Sequence, residues 1–180
     1  MRSAGKDLLS LALIDSRNHT LRWIRACEEA LDGAALSVPL LAEVNPPLWE
    51  LGHIGWFQEH WTSRNVQRHR GERCDPSRPK LASILPDADC WYEPAGVPHA
   101  KRWQLDLPDL AATRQYLFDT LETTLDLLAG ASDEDDDTLY FYRRALFHED
   151  MHVEAFAMLS QTHGFDAGRP SGTRHPLRTS

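Results

Sequence analysis

The chain has 180 residues, 42% of them apolar and 26% charged, the balance of one soluble globular domain rather than two. Its 19 basic and 27 acidic residues give a formal charge of −8, which argues against nucleic acid and anionic membrane surfaces as partners, since both call for a basic footprint. No apolar run approaches the ~18 residues of a spanning helix, no signal-peptide core opens the chain, and Cys27, Cys74 and Cys90 make no disulfide framework, so a cytosolic (cytoplasmic) protein is expected.

Over about residues 5–31, apolar side chains recur at helical spacing (Leu8, Leu11, Leu13, Ile14, Leu21, Ile24, Cys27, Leu31), and Asp32-Gly33 supplies a stop. Asn45-Pro46-Pro47 predicts a helix start, with Asn as the cap and Pro at the first helical position, where its missing donor is no loss. The helix expected there, about 48–66, carries Trp49, Leu51, His53, Trp56, Phe57, His60 and Trp61. Over residues 68–107, Pro76, Pro79, Pro86, Pro94 and Pro98 forbid a long helix. Arg68, Arg70, Arg73, Arg78 and Lys80 read there as a solvated loop offset by Glu72 and Asp75.

Pro108 reopens a helix with Leu110, Leu117, Leu121, Leu125 and Leu128 on one face, closed by Gly130. The acids of 132–137 then precede a last helix, about 138–163, at the positive end of its dipole, and Gly164 ends it. No segment alternates like a strand. The expected fold is all-α, a four-helix bundle over residues 5–165 with a long crossover between its second and third helices. Residues 166–180 read as a tail or the start of a linker.

The sharpest chemical signal is His148-Glu149-Asp150-Met151-His152. Two histidines four residues apart share one helix face and can hold one metal ion; neutral imidazole suits zinc, iron, copper or nickel. The string also fits His-Glu-x-x-His of zinc proteases, whose glutamate activates water. The longer protease motif continues with Gly and His where Ala155 and Met158 stand, and no Glu follows Glu154, so protease chemistry is not expected.

A third ligand must come from upstream, on a facing helix, where His53 and His60 lie seven residues apart on roughly one face. Gly52 and Gly55 flank His53 and permit close approach, while Trp49, Trp56 and Phe57 give it a low-dielectric wall. Alone, His53 reads as a hydrogen-bonded core histidine; with His148 and His152 it reads as the third ligand. Glu149 and Glu154 are candidates for orienting the imidazoles, Glu149 equally well a solvent-facing residue. His19, His69, His99, His163 and His175 form no such pattern, Tyr140 and Tyr142 read as packing residues, and no catalytic side chain stands out.

Segments 45–61 and 146–156, with Leu51-Gly52-His53 in one and His148-x-x-x-His152-x-Glu154 in the other, resemble the N-terminal DinB-type domain of the ergothioneine sulfoxide synthases, and within that group the selenoneine synthases most. The likeness runs from about Leu8 to Phe165. It implies a DinB-like bundle in which His53, His148 and His152 bind a non-haem iron(II); the residues by themselves leave zinc or nickel open. It further implies an O2-dependent reaction that joins sulfur, or selenium, to the imidazole C2 of hercynine (trimethylated histidine). The implied partners are hercynine, a sulfur or selenium donor, O2 and a C-terminal domain like that of the formylglycine-generating enzymes. The sequence stops at Ser180, shortly after the bundle, so that domain is expected to be missing here. Some sulfoxide synthases place Gln just before the second histidine of the pair, where this sequence has Met151. Two other readings stand beside this one: a stand-alone DinB-fold thiol transferase or hydrolase with zinc or nickel, and a non-catalytic module that forms a homodimer through its helices.

Overall fold

Amphipathic helices need a common surface against which to bury their apolar faces, and this chain provides one by folding back on itself. The computed structural model describes residues 5–31, 33, 36–131 and 135–164, so the expected tail at 166–180 lies outside the described residues. The helices are α1 (Lys6–Ala30), α2 (Pro47–Trp61), the short α3 (Ala88–Tyr92), α4 (Leu110–Ala129) and α5 (Asp136–His163). Two 3-10 turns, Arg68–Arg73 and His99–Trp103, lie in the crossover, and no strand occurs among the described residues. The four long helices form the bundle: α5 packs on α1 and α2, and α4 packs on the same two from the other side.

The helix ends follow from local hydrogen bonding. Asp109 and Asp135 cap α4 and α5 by accepting from the amides of Ala112 at 2.8 Å and Thr138 at 2.7 Å. Asp136 and Asp137 follow in the first turn of α5, where the helix dipole favours acids, and Gly164 closes it in the left-handed conformation at φ 71°. At α2 the cap is Pro46 rather than Asn45, whose side chain is engaged elsewhere. That helix also ends at Trp61, short of Val66: Thr62 leaves helical geometry at φ −102° and ψ −84°, and the Arg64 amide reaches the Glu59 carbonyl instead of that of His60.

One apolar cluster gathers α2, α4 and the crossover around Ile24, Trp49, Leu51, Tyr92, Leu117 and Phe156; a second joins Leu9, Leu13, Leu128, Leu139, Tyr142 and Leu146. A buried polar network ties the four long helices together. Arg17 of α1 donates to Glu149 of α5 at 2.8 and 3.1 Å, to Gln58 of α2 at 2.6 Å and to the Leu117 carbonyl of α4. Thr20 adds a 2.8 Å bond to the same carboxylate. Glu149 is therefore a core residue, and the solvent-facing reading of it is corrected.

The crossover is also more than a solvated loop. Ala88, Tyr92 and Val97 are buried, and Arg64, itself buried, forks onto Asp89 at 2.7 and 2.8 Å. Arg64 is the main reason the Asp89 carboxyl is pushed down to about 2. Tyr92 lies directly on Gly52: a Cβ there would overlap the Cζ–Cε1 edge of its ring, whereas one on Gly55 would meet Tyr116 and Leu117 at 3.1 Å. Gly52→Ala is expected to destabilise the fold by about 2–4 kcal/mol through overpacking, with Gly55→Ala milder. Urea denaturation of both variants checks this; a Gly52→Ala midpoint equal to that of the parent would show that Tyr92 moves aside freely.

Candidate metal centre

His53 lies mid-way along α2, and His148 and His152 occupy successive turns of α5. The packing of α2 on α5 brings one ring nitrogen of each within 4.8 Å of the others. The Nε2 atoms of His148 and His152 are 3.0 Å apart. Two nitrogens bound at a right angle, each about 2.1 Å from a shared ion, would stand about 3.0 Å apart as well.

Each ring is held by a partner that decides which nitrogen is free. The Tyr92 carbonyl can only accept, so His53 Nδ1 donates to it at 2.9 Å and the Nε2 lone pair is left for a ligand. His152 Nδ1 donates to the buried Glu50 carboxylate, the carboxylate–histidine arrangement that fixes a metal-binding tautomer. Asn45 donates to the other Glu50 oxygen at 2.6 Å, and Arg102 donates to Asn45 at 2.6 Å. Burial opposes the charge on Glu50, but the bonds from His152 and Asn45 outweigh it and hold the carboxyl below its usual range. Arg102 also stacks on Trp49 at 3.9 Å, and Trp49 stacks on His53 at 4.9 Å.

His148 is gripped differently. Phe57 stacks on it at 3.5 Å with the rings 3° from parallel, and its buried Nδ1 has no hydrogen-bond partner among the described residues. Burial, then the neighbouring His152, push His53 down to about 4 and His148 down to about 2, so both rings are neutral at pH 7. Neutral imidazoles with lone pairs converging behind aromatic walls fit a transition-metal ion and do not fit calcium or magnesium, which want oxygen ligands.

The structure thus brings together His53, His148 and His152, with Trp49, Trp56 and Phe57 against His53. Glu149 and Glu154, the sequence candidates for orienting the rings, are elsewhere: Glu149 is engaged by Arg17 and Thr20, and Glu154 is exposed. With Glu149 turned into the core, the water-activating role of a protease glutamate is closed to it. Glu50 and the Tyr92 carbonyl hold the rings instead. Glu50 had a weak signal, since it stands three residues before His53 on one helix face; a backbone carbonyl has none.

Beside the three histidines a cleft of about 350 Å³ opens between Trp56, Phe57, His60, Trp61, Glu93 and Arg144. His60 belongs to this cleft and not to the three-histidine group. Met151, on the same helix as the pair, is exposed.

The family model of the DinB superfamily matches residues 12–163. The chain is similar to the hercynine oxygenase of Mycolicibacterium thermoresistibile, 32% identical over 171 residues that cover 93% of this chain and 34% of that protein. It is also similar to the hercynine oxygenase of Mycobacterium tuberculosis, 29% identical over 148 residues that cover 82% of this chain and 31% of the relative. The chain therefore spans about a third of the length of these curated relatives. Among the described residues no helix is long and apolar enough to cross a membrane.

Proposed function

This chain belongs to the DinB superfamily, and we propose that it is the iron(II)-binding domain of an O2-dependent enzyme that forms a C–Se or C–S bond at the imidazole C2 of hercynine, in selenoneine or ergothioneine synthesis. The observation that carries this reading is the convergence of His53, His148 and His152 in a chain similar over 93% of its length to a hercynine oxygenase. Iron(II) held by the three rings would supply the one-electron and O2 chemistry that protein side chains lack.

The chain's own residues do the rest. Glu50 and the Tyr92 carbonyl fix the tautomers of His152 and His53, and Trp49, Trp56 and Phe57 keep water from the ring faces. The cleft beside them, about 350 Å³, has room for a small ligand. A second domain, like that of the formylglycine-generating enzymes, would complete the active site, in keeping with the third of each relative that this chain spans. Three free cysteines accord with a reducing, cytosolic location.

Anaerobic titration with Fe(II) is expected to saturate at one ion per chain, and hercynine is expected to perturb the visible spectrum of the Co(II)-substituted protein. Three histidines also suit zinc, the ion of the stand-alone thiol transferase reading. A spectral response to cysteine or glutathione with none to hercynine would replace the proposed function with that one.

A further inference from the structure

Arg144 stands one turn before His148 on α5 and lines the same cleft. Its guanidinium lies over Trp61 at 4.5 Å and over Phe57 at 5.6 Å, and Phe57 in turn stacks on His148 at 3.5 Å. Trp61 is backed by Phe141, parallel to within 3° at 5.2 Å. This aromatic shelf supports the face of the guanidinium and leaves its N–H edge available.

Arg17, Arg64, Arg73 and Arg114 each meet a carboxylate; among the described residues none pairs with Arg144. Glu93, from the crossover, lines the same cleft, and no donor among the described residues reaches its carboxylate. The lining of the cleft thus offers the open Arg144 cation and the open Glu93 anion beside the three histidines, with the Lys80 ammonium over the same Trp61 ring at 4.9 Å. A planar guanidinium matches a carboxylate through two parallel hydrogen bonds, and the nearby Glu93 weighs against a dianion such as phosphate.

We propose that Arg144 anchors the carboxylate of a zwitterionic, amino-acid-like ligand in this cleft, with Glu93 facing its cationic group. The proposal rests on the reading of the three histidines as a hercynine-directed metal site, and assigns ligand contacts to this chain itself.

Calorimetric titration of the chain, with and without Zn(II), tests it with matched pairs: hercynine against its decarboxylated counterpart, L-histidine against histamine, and L-cysteine against cysteamine. The parent chain is expected to prefer the carboxylate-bearing member of at least one pair. Arg144→Met is expected to weaken that member about 10- to 100-fold while leaving its partner and the metal content unchanged, and Arg144→Lys to recover part of the loss. Equal losses for both members, no loss for either, or no preference in the parent chain would overturn the proposal. If the hercynine pair fails to bind while another pair keeps an Arg144-dependent preference, the hercynine reading fails and the anchoring role stands.

Discussion

Alanine in place of His53, His148 or His152 is expected to abolish stoichiometric metal binding, with a loss larger than the ~10- to 100-fold that follows when only an outer partner of a ligand is removed. Glu50→Gln is that outer-partner case. It keeps the shape beside His152 but removes the charge that makes Nδ1 a donor and Nε2 a strong ligand, so a weakening of about 10- to 100-fold is expected. Metal analysis after dialysis reads the first effect, and competition with a chelator of known affinity reads the second. A ligand that binds only the folded chain raises its melting temperature, so the rise seen on adding metal to the parent should vanish in the three alanine variants. Unchanged stoichiometry in all three would remove the metal site. Unchanged affinity in Glu50→Gln would make that carboxylate a structural group only.

The clustering of the three histidines was legible because helices translate spacing into direction. The four-residue step from His148 to His152 puts both on one face of α5, and the Asn45-Pro46-Pro47 start marked α2 as a second helix able to offer His53 or His60. What holds the rings was not legible. The Tyr92 carbonyl reaches His53 because the crossover lays α3 on Gly52, a path set by tertiary packing in a stretch without periodicity. Asn45 looked like a helix cap because its residue type favours one, yet it bridges Arg102 to Glu50, and Pro46 takes the cap position. Glu149 was ambiguous for a related reason. A carboxylate on an amphipathic helix reads as solvent-facing until a buried arginine, here 132 residues away in sequence, is known to meet it.

That buried pair should dominate the stability of the domain. Side chains of Arg17 and Glu149 are only 4% and 3% exposed, and removing one partner strands the other charge in the core. Arg17→Met or Glu149→Leu alone is expected to cost about 3–5 kcal/mol, while the double variant, which strands neither charge, should cost clearly less than the sum of the two. Urea denaturation of the three variants and the parent measures this, and additive losses would show that the two residues act independently. A second readout follows from helix geometry. Neighbouring residues on a helix point about 100° apart, so Glu149, locked to Arg17, fixes the rotation of α5 that turns His148 toward α2. Glu149→Gln retains the shape and weakens the lock, and in it metal affinity should fall although no ligand or ring-holding group has been touched. If Glu149→Gln lost stability but bound metal as tightly as the parent, the rotation of α5 would have to be set by the packing of Phe57 on His148 instead.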